Sequence, residues 1–271
     1  MSAITSNITR FFDELPISSG MTWFVRGVYA WLALDTLSLW SSYDLIWGAD
    51  SVFQRMGHID GVLNNLVYHL VYTKRWAYLV FHAHWIGALL SMGSYRGVFI
   101  VRIGVWITGL MLFYSAIEVF NSGMMVMNIM AFYLIFYNAT RHAQWLNKGI
   151  YMMCAAQVII IYGVSAMFKL RGEQWLEGDI LYFVMQTPHF VSAWIRDSAL
   201  ISCNALLTTL GYLALAYQLL FPLLVFWKRG AWYFIIFGVL FHLFIAFFMH
   251  LYDFGFAMIV CYALFIPSKP K

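Results

Sequence analysis

The stretch Gly149–Phe168, GIYMMCAAQVIIIYGVSAMF, decides the fold class of this chain. Its 20 residues carry no charged side chain. A helix of about 20 apolar residues is long enough to cross a hydrocarbon core of about 30 Å. Lys169 follows directly and opens the segment KLRGEQWLEG, which ends at Gly178. This pattern is typical of a membrane-spanning helix that ends in a lysine.

The whole chain has the composition of a membrane protein. Of its 271 residues, 63% are hydrophobic and 10% are charged, whereas soluble domains carry about 25% charged residues. Apolar stretches recur along its length, and a membrane β-barrel would instead show alternating segments of about 10 residues. We therefore predict an all-α fold, a polytopic bundle of about eight transmembrane helices, with residues 1–271 forming a single domain. The predicted spans are Met21–Leu39, Trp76–Met92, Gly97–Ile117, Met124–Tyr137, Gly149–Phe168, Ala199–Phe226, Trp232–Leu251 and Phe254–Ile266.

Two longer segments outside the predicted spans are expected at the membrane surface. Ser41–Arg75 spaces its apolar residues as an amphipathic helix does, which predicts a helix lying in the interface. Lys169–Asp197 contains Trp175 and Trp194, and tryptophan is enriched at the level of the lipid headgroups. The first 20 residues include Arg10 and have no apolar core, so we expect no cleavable signal peptide there.

Basic residues predict the orientation, because cytoplasmic loops are enriched in Lys and Arg. With the N-terminus in the cytoplasm, the inner side holds more Lys and Arg than the outer side, and an even number of spans returns the C-terminus to the cytoplasm. We expect a protein of the bacterial inner (plasma) membrane, with Lys169 at the extracytoplasmic edge of the fifth span. Basic inner loops facing anionic lipid account for the net charge of +4, so we expect membrane lipids as partners and no nucleic acid.

Polar groups inside the predicted spans are the candidates for function, because burying them in lipid is costly. Lys169 has two interpretations. It is an anchor whose ammonium reaches the headgroups, or it is a base, since an apolar environment disfavours the charged form of an amine. Glu118 and Asn121 close the third span at the level of Lys169, so an ion pair between Glu118 and Lys169 is geometrically possible.

The histidines and cysteines do not predict a metal site. His82 and His84 are two positions apart and diverge on a helix, so they cannot chelate one metal ion. His242 and His250 are eight positions apart and share a helical face. His250 and Asp253 are either a proton relay or a polar pair at the interface. The three cysteines, which fall in or near predicted spans, are expected to be buried inert thiols.

One segment resembles a known family. Tyr162–Leu170, YGVSAMFKL, followed by Trp175 and Gly178, resembles the lysine–leucine, tryptophan and glycine segment of the vitamin K-dependent gamma-carboxylases. It resembles equally their bacterial relatives, the HTTM (horizontally transferred transmembrane) domain family. Three further stretches are similar in order and spacing, so the likeness covers most of the chain: Arg26 and Asp35 in the first span, Ala131–Arg141 at the end of the fourth, and Phe241 and His242 followed by Phe254, Met258 and Ile259.

The resemblance implies a helical membrane fold with a cavity near Lys169 that opens on the extracytoplasmic side. In the carboxylases this lysine is the base that deprotonates reduced vitamin K, so the resemblance assigns that role to Lys169. It also implies a reduced, vitamin K-like quinone as cofactor. With Lys169 we group His242 and Glu118 as catalytic candidates, and Asn121, Trp175, Tyr162 and His250 as residues of the substrate or lipid cavity.

The expected function follows from this resemblance and remains open between two classes. As a gamma-carboxylase-like enzyme that uses Lys169 as base, the protein would bind a lipid, quinone or hydrophobic peptide and act in the modification or maturation of an exported substrate. Its partner would be a hydrophobic secreted peptide or another membrane subunit. The alternative is a non-catalytic accessory or scaffold subunit of a membrane complex. A small transporter is less favoured, because no pair of Gly- or Pro-broken inverted repeats is visible.

Overall fold

The structure is a computed structural model that describes residues 19–48, 51, 74–116, 119, 122–137, 144–188, 190–191, 193–226 and 230–267. Of these described residues 83% are helical and none lies in a strand, which confirms the prediction of an all-α fold. Glu118, Asn121 and most of the predicted interfacial segment Ser41–Arg75 lie outside the described residues.

The chain divides into two compact units, of which the first contains Thr22–Ile150. Its described helices are α1 (Met21–Ser38, which begins one residue before the unit), a 3-10 turn (Leu39–Ser42), α2 (Tyr43–Trp47), α3 (Lys74–Ser91), α4 (Val98–Ser115) and α5 (Ser122–Leu134). Helix α3 packs against α4, and α4 packs against α5.

The second unit contains Tyr151–Lys271 together with the short stretch before Thr22. Helix α6 (Gln144–Lys169) begins in the first unit and continues through the second. The helices that follow are α7 (Glu173–Glu177), α8 (Ile180–Gln186), α9 (Ala193–Arg196), α10 (Ala199–Ser202), α11 (Asn204–Leu224), α12 (Ala231–Phe248) and α13 (Tyr252–Cys261), with a last 3-10 turn (Tyr262–Phe265).

Four of the described helices, α4, α6, α11 and α12, are long and apolar enough to cross a membrane. Helices α5 and α13 are apolar but shorter. The four long helices are consistent with a membrane protein, while the count of eight spans stays a prediction. The sixth predicted span, Ala199–Phe226, is wrong as one continuous helix. Cys203 has backbone angles outside the helical region (φ −93°, ψ 80°) and separates α10 from α11.

Aromatic side chains form a core in the first unit, where the short helix α2 packs against α3 and α4. Trp47 is fully buried, and its indole N–H donates a hydrogen bond to Ser115 Oγ at 2.8 Å. The ring of Phe81 lies edge-on to Trp47, with 5.7 Å between centroids, and to Tyr43 at 5.3 Å. Edge-to-face pairs of this kind stabilise beyond the area they bury, so they hold α2 in place.

Arg102 of α4 is fully buried and joins the ends of two other helices. Its guanidinium donates hydrogen bonds to the carbonyl oxygens of Leu134 (3.1 Å), Tyr137 (2.6 Å) and Ser91 (3.1 Å). Leu134 ends α5 and Ser91 ends α3, and the last carbonyls of a helix lack partners within it and carry partial negative charge. The ring of Tyr29 lies 5.2 Å from the guanidinium carbon, within range of a cation–π contact.

Replacing Arg102 with leucine should destabilise the protein strongly, because three carbonyl oxygens would lose their donor. We expect the free energy of unfolding in detergent to fall by on the order of 3 kcal/mol. Arg102→Lys keeps the charge but not the planar fork of donors, so its loss should be intermediate. The matched control is Arg96→Leu at an exposed arginine, which should change stability little. Equal losses for the two leucine variants would contradict the role of Arg102.

Candidate functional site

The C-terminal part of α6 carries three polar side chains on one face, Tyr162, Ser165 and Lys169. Residues three or four positions apart are neighbours on a helix surface, so the three form a column along α6, called here the α6 column. Tyr162 and Lys169 were candidates from the sequence, and the structure adds Ser165. The column faces α11, where Gln218 Oε1 accepts a hydrogen bond from Ser165 Oγ at 3.2 Å.

Lys169 lies at the last position of α6 and is partly buried. Its ammonium nitrogen, Nζ, donates a hydrogen bond to Ser165 Oγ at 2.8 Å and lies 5.0 Å from the centre of the Trp175 ring. A cation at this distance is attracted by the electrons of the indole face. Lys169 and Trp175, both candidates from the sequence, are therefore in contact. Among the described residues, the two partners of the ammonium and Gln218 behind Ser165 are all neutral.

The fold brings Trp175 over Lys169 because the chain turns back directly after α6. The backbone N–H of Gly172 donates to the carbonyl of Lys169 at 3.1 Å, and that of Trp175 donates to the carbonyl of Gly172 at 3.1 Å. Tyr212 of α11 then holds α7, since its hydroxyl donates to the carbonyl of Leu176 at 2.7 Å. The indole is thus placed by the backbone turn and by a side chain of α11.

At the other end of the column lies a buried hydrogen-bonded group, called here the tyrosine–histidine network. It consists of Tyr162 (α6), Tyr217 (α11), His242 (α12) and Tyr262 (the last 3-10 turn), each at most 5% exposed. The Tyr162 hydroxyl pairs with His242 Nε2 at 2.8 Å and with the Tyr262 hydroxyl, which also accepts from Tyr217 at 2.8 Å. The network therefore ties together four elements of the second unit.

Aromatic rings surround the network. Phe221 lies 4.2 Å from Tyr162 between ring centroids, and Phe241 and Phe254 lie 5.1 and 5.6 Å from His242. Helix α12 approaches closely because position 238 is glycine, where a Cβ atom would collide with the hydroxyls of Tyr217 and Tyr262. An apolar, aromatic surround with a few convergent polar groups is the usual composition of a site for an apolar ligand.

His242 has one ring nitrogen left over. Nε2 is paired with Tyr162, whereas the buried Nδ1 has no hydrogen-bond partner in the part of the chain that the structure describes. A buried polar atom without a partner is costly and calls for an explanation. Chemically, the network can pass a proton between an imidazole and the tyrosine hydroxyls, and His242 Nδ1 can still bond to a ligand that carries a hydroxyl or carbonyl group.

The structure brings four sequence candidates together as two pairs, each of which includes one residue of α6. Tyr162 pairs with His242, and Lys169 pairs with Trp175. Among the described residues, Lys169 and His242 make no direct hydrogen bond with each other. The expected proximity of Lys169 to Glu118 and Asn121 falls outside the described residues.

His250 lies apart from the helical pattern that was expected for it. Helix α12 ends at Phe248, and His250 is exposed in the following turn with a left-handed backbone (φ 53°). Helical spacing therefore does not extend from His242 to His250, and the expectation of a shared face is wrong. The hydroxyl of Tyr252 lies 3.3 Å from His250 Nδ1. The relay between His250 and Asp253 stays a hypothesis.

The cysteines match the sequence expectation in two of three cases. Cys154 and Cys261 are free and buried, whereas Cys203 is free and exposed, because it occupies the break before α11 instead of a continuous span. Within the described ranges, no group of three or more His, Cys, Asp or Glu side chains is placed to hold a metal ion.

Four residues of the site were not found from the sequence: Ser165, Tyr217, Gln218 and Tyr262. A tyrosine in an apolar run is compatible with a position at the membrane interface, so the sequence does not distinguish an interfacial tyrosine from a buried one. The signal that was available is Tyr217 and Gln218, a polar pair in the interior of an apolar helix. Such a pair usually faces other helices and not the lipid.

No protein-family model matches this chain, and neither a curated protein nor a solved structure matches it.

Tyr162→Phe tests the network, because it removes only the hydroxyl that pairs with both His242 and Tyr262. Two buried polar atoms would lose a partner, and we expect the free energy of unfolding in detergent to fall by about 1–3 kcal/mol. The matched control is Tyr233→Phe on α12, whose side chain is 77% exposed and whose loss of a hydroxyl should have no measurable effect. A Tyr162→Phe variant as stable as this control would contradict the network.

Proposed function

We propose that this chain is an HTTM-like protein of the bacterial inner membrane, with eight spans and both termini in the cytoplasm. Its second unit binds a hydrophobic phenol or hydroquinone from the lipid phase, and Lys169 takes a proton from that ligand. The reaction serves the modification or maturation of an exported substrate, a hydrophobic peptide. The observation that carries the proposal is the α6 column, with an amine among neutral partners at one end and a buried imidazole with an unpaired nitrogen at the other.

Lys169 has the surroundings that a base requires. A base must be neutral before it accepts a proton, and an adjacent carboxylate would hold the proton on the nitrogen. Among the described residues, the partners of Lys169 are instead the hydroxyl of Ser165 and the ring of Trp175. In the proposed step the O–H bond of the ligand breaks, its proton moves to Nζ, and the ligand oxygen becomes an anion. Trp175 and Ser165 then stabilise the ammonium that has formed.

The residues present fit a reduced, vitamin K-like quinone. Such a ligand is an aromatic ring with hydroxyl groups, and the buried Nδ1 of His242 is available to one of them. Phe241 and Phe254 line the same imidazole and suit an aromatic ring. By resemblance to the carboxylases, the group supplies a hydroquinone whose oxygenation by O₂ yields a strong base. In this chain His242 and Tyr162 would hold and orient it, and Lys169 would take its proton.

One observation favours the second candidate function, a scaffold subunit. Lys169 follows Phe168, which is 69% exposed, and lies over the ring of Trp175. Lysine and tryptophan in this combination are typical of helix ends that are fixed at the membrane interface. Lys169 would then anchor α6, and the protein would act by binding another membrane subunit.

Lys169→Arg separates the base from the anchor, because arginine keeps the charge but does not give up its proton. The wild type in nanodiscs should convert a bound single-hydroxyl probe, 2-methyl-1-naphthol, to its anion, measured as a red-shifted absorbance. We expect both Lys169→Arg and Lys169→Ala to lower the anion fraction to that of nanodiscs without protein. The control Arg171→Ala, at an exposed position, should behave as the wild type. An Arg variant that forms the anion fully would exclude the base and leave the anchor.

The proposed orientation is tested by cysteine labelling in intact cells. In a background with Cys154, Cys203 and Cys261 replaced by alanine, a cysteine is placed at Glu177 or at Arg96, both of which are exposed. An impermeant maleimide should label position 177, on the proposed outer side, and should label position 96 only after the cells are broken. Labelling of position 96 but not 177 in intact cells would reverse the orientation and place Lys169 on the cytoplasmic side.

A further inference from the structure

A second set of buried polar atoms lies in the first unit, around Gly109 of α4. His84 of α3 is 0% exposed and Asn128 of α5 is 4% exposed. Among the described residues, none pairs by a hydrogen bond with His84 Nε2 or with Oδ1 or Nδ2 of Asn128. Three unpaired atoms on two fully enclosed side chains are unusual, since nearly all buried polar groups in folded proteins are paired.

The unpaired atoms of the two side chains converge on one place. A Cβ atom built on Gly109 would lie 2.5 Å from Asn128 Oδ1 and 2.9 Å from His84 Cε1. Cε1 lies between the two ring nitrogens, so the unpaired Nε2 is one bond away from the ring atom that meets Gly109. Glycine at this position is what allows side chains from α3 and α5 to meet over the backbone of α4.

The other ring nitrogen of His84 fixes the role of Nε2. His84 Nδ1 lies 3.0 Å from the carbonyl oxygen of Val105 and 3.0 Å from Thr108 Oγ1. A carbonyl oxygen only accepts, so Nδ1 carries a proton and donates it to Val105. In the neutral ring Nε2 is therefore an acceptor that lacks a donor. Asn128 adds an acceptor and two N–H donors, and this inventory is the same whichever way the amide is turned.

We propose that His84 and Asn128 bind one small hydroxylic molecule over Gly109, between α3, α4 and α5. A hydroxyl group can donate to His84 Nε2 and accept from Asn128 Nδ2, so a single molecule can give each side chain a hydrogen bond. An apolar ligand would leave the three atoms unpaired, and a cation has no use for the N–H donors. An internal water has the required chemistry, as buried waters make about three hydrogen bonds each. A lipid glycerol hydroxyl shares it.

The bound molecule would link His84 of α3 and Asn128 of α5 across α4. Polar links of this kind hold helices together in membranes, where apolar packing against lipid gives little preference for one neighbour over another. The site belongs to the first unit and does not depend on the function proposed for Lys169.

Asn128→Leu tests whether a ligand bonds to the unpaired atoms of His84 and Asn128, because the sign of the change in thermal midpoint depends on whether the ligand is bound. With the molecule bound, the variant loses the ligand's bonds and leaves His84 unpaired, and we expect the thermal midpoint in detergent to fall by about 2 °C or more. Without a ligand, leucine would replace two orphaned polar atoms with an apolar group and the midpoint would rise or stay. The control is Asn204→Leu at an exposed asparagine. An unchanged or raised midpoint for Asn128→Leu overturns the proposal.

A second measurement uses the unaltered protein and identifies the ligand's source. The chain has eight histidines, which are labelled with ¹³C at Cε1. The His84 signal is identified as the one that is lost in the His84→Gln variant. We expect a nuclear Overhauser contact from the His84 Cε1 proton to water, or to the carbon-bound glycerol protons of the lipid, which deuterated lipid would remove. Gly109→Ala places a methyl group in the site and should abolish either contact. Contact with neither water nor lipid in the wild type overturns the proposal.

Discussion

The pairing of polar side chains between apolar helices is the constraint on which both units depend. Inside such a bundle there is little water to bond with, so a hydroxyl, imidazole or guanidinium must find its partner on another element. Arg102 meets this need with the terminal carbonyls of α3 and α5. Tyr162 meets it with His242 and Tyr262. Each of these side chains thereby fixes the register of helices that apolar packing alone would hold less specifically.

The polar side chains at the two ends of the α6 column meet the same constraint with different partners. At one end every hydroxyl of the tyrosine–histidine network is paired inside the protein, so the network orients His242 rigidly. At the other end Lys169 has a hydroxyl and an aromatic face as partners. A cation–π contact contributes about 0.5–2 kcal/mol, and neither of these two partners carries an opposite charge. An amine so placed is suited to receiving a proton from a ligand as well as to marking the end of a helix, and substitution by arginine distinguishes these two roles.

The positions of the helices followed from the sequence, because long apolar runs have few other structures available in a membrane. The partners of polar residues did not. His84 was visible as a histidine within an apolar run, but its bonds to Val105 and Thr108 join residues of another helix, which local spacing cannot predict. The break at Cys203 and the exposed turn at His250 were missed for a related reason, since neither is marked by glycine or proline. Lys169 and Trp175 were candidates because they follow an apolar run of membrane length, but their contact depends on the backbone turn after α6.

His84 and His242 use their imidazoles in the same way, and this suggests why neither position is apolar. In each ring one nitrogen is bonded within the protein, and the other is buried without a partner among the residues that the structure describes. Replacing buried polar groups by apolar groups of the same shape is often neutral or stabilising for the folded state. Leaving a buried polar atom unpaired costs about 1–3 kcal/mol. A phenylalanine of similar shape would therefore serve packing better at both positions. The retention of a half-bonded imidazole is explained if the second nitrogen bonds to a molecule that is not part of the chain, a hydroxylic one beside Asn128 and a phenolic one beside Tyr162.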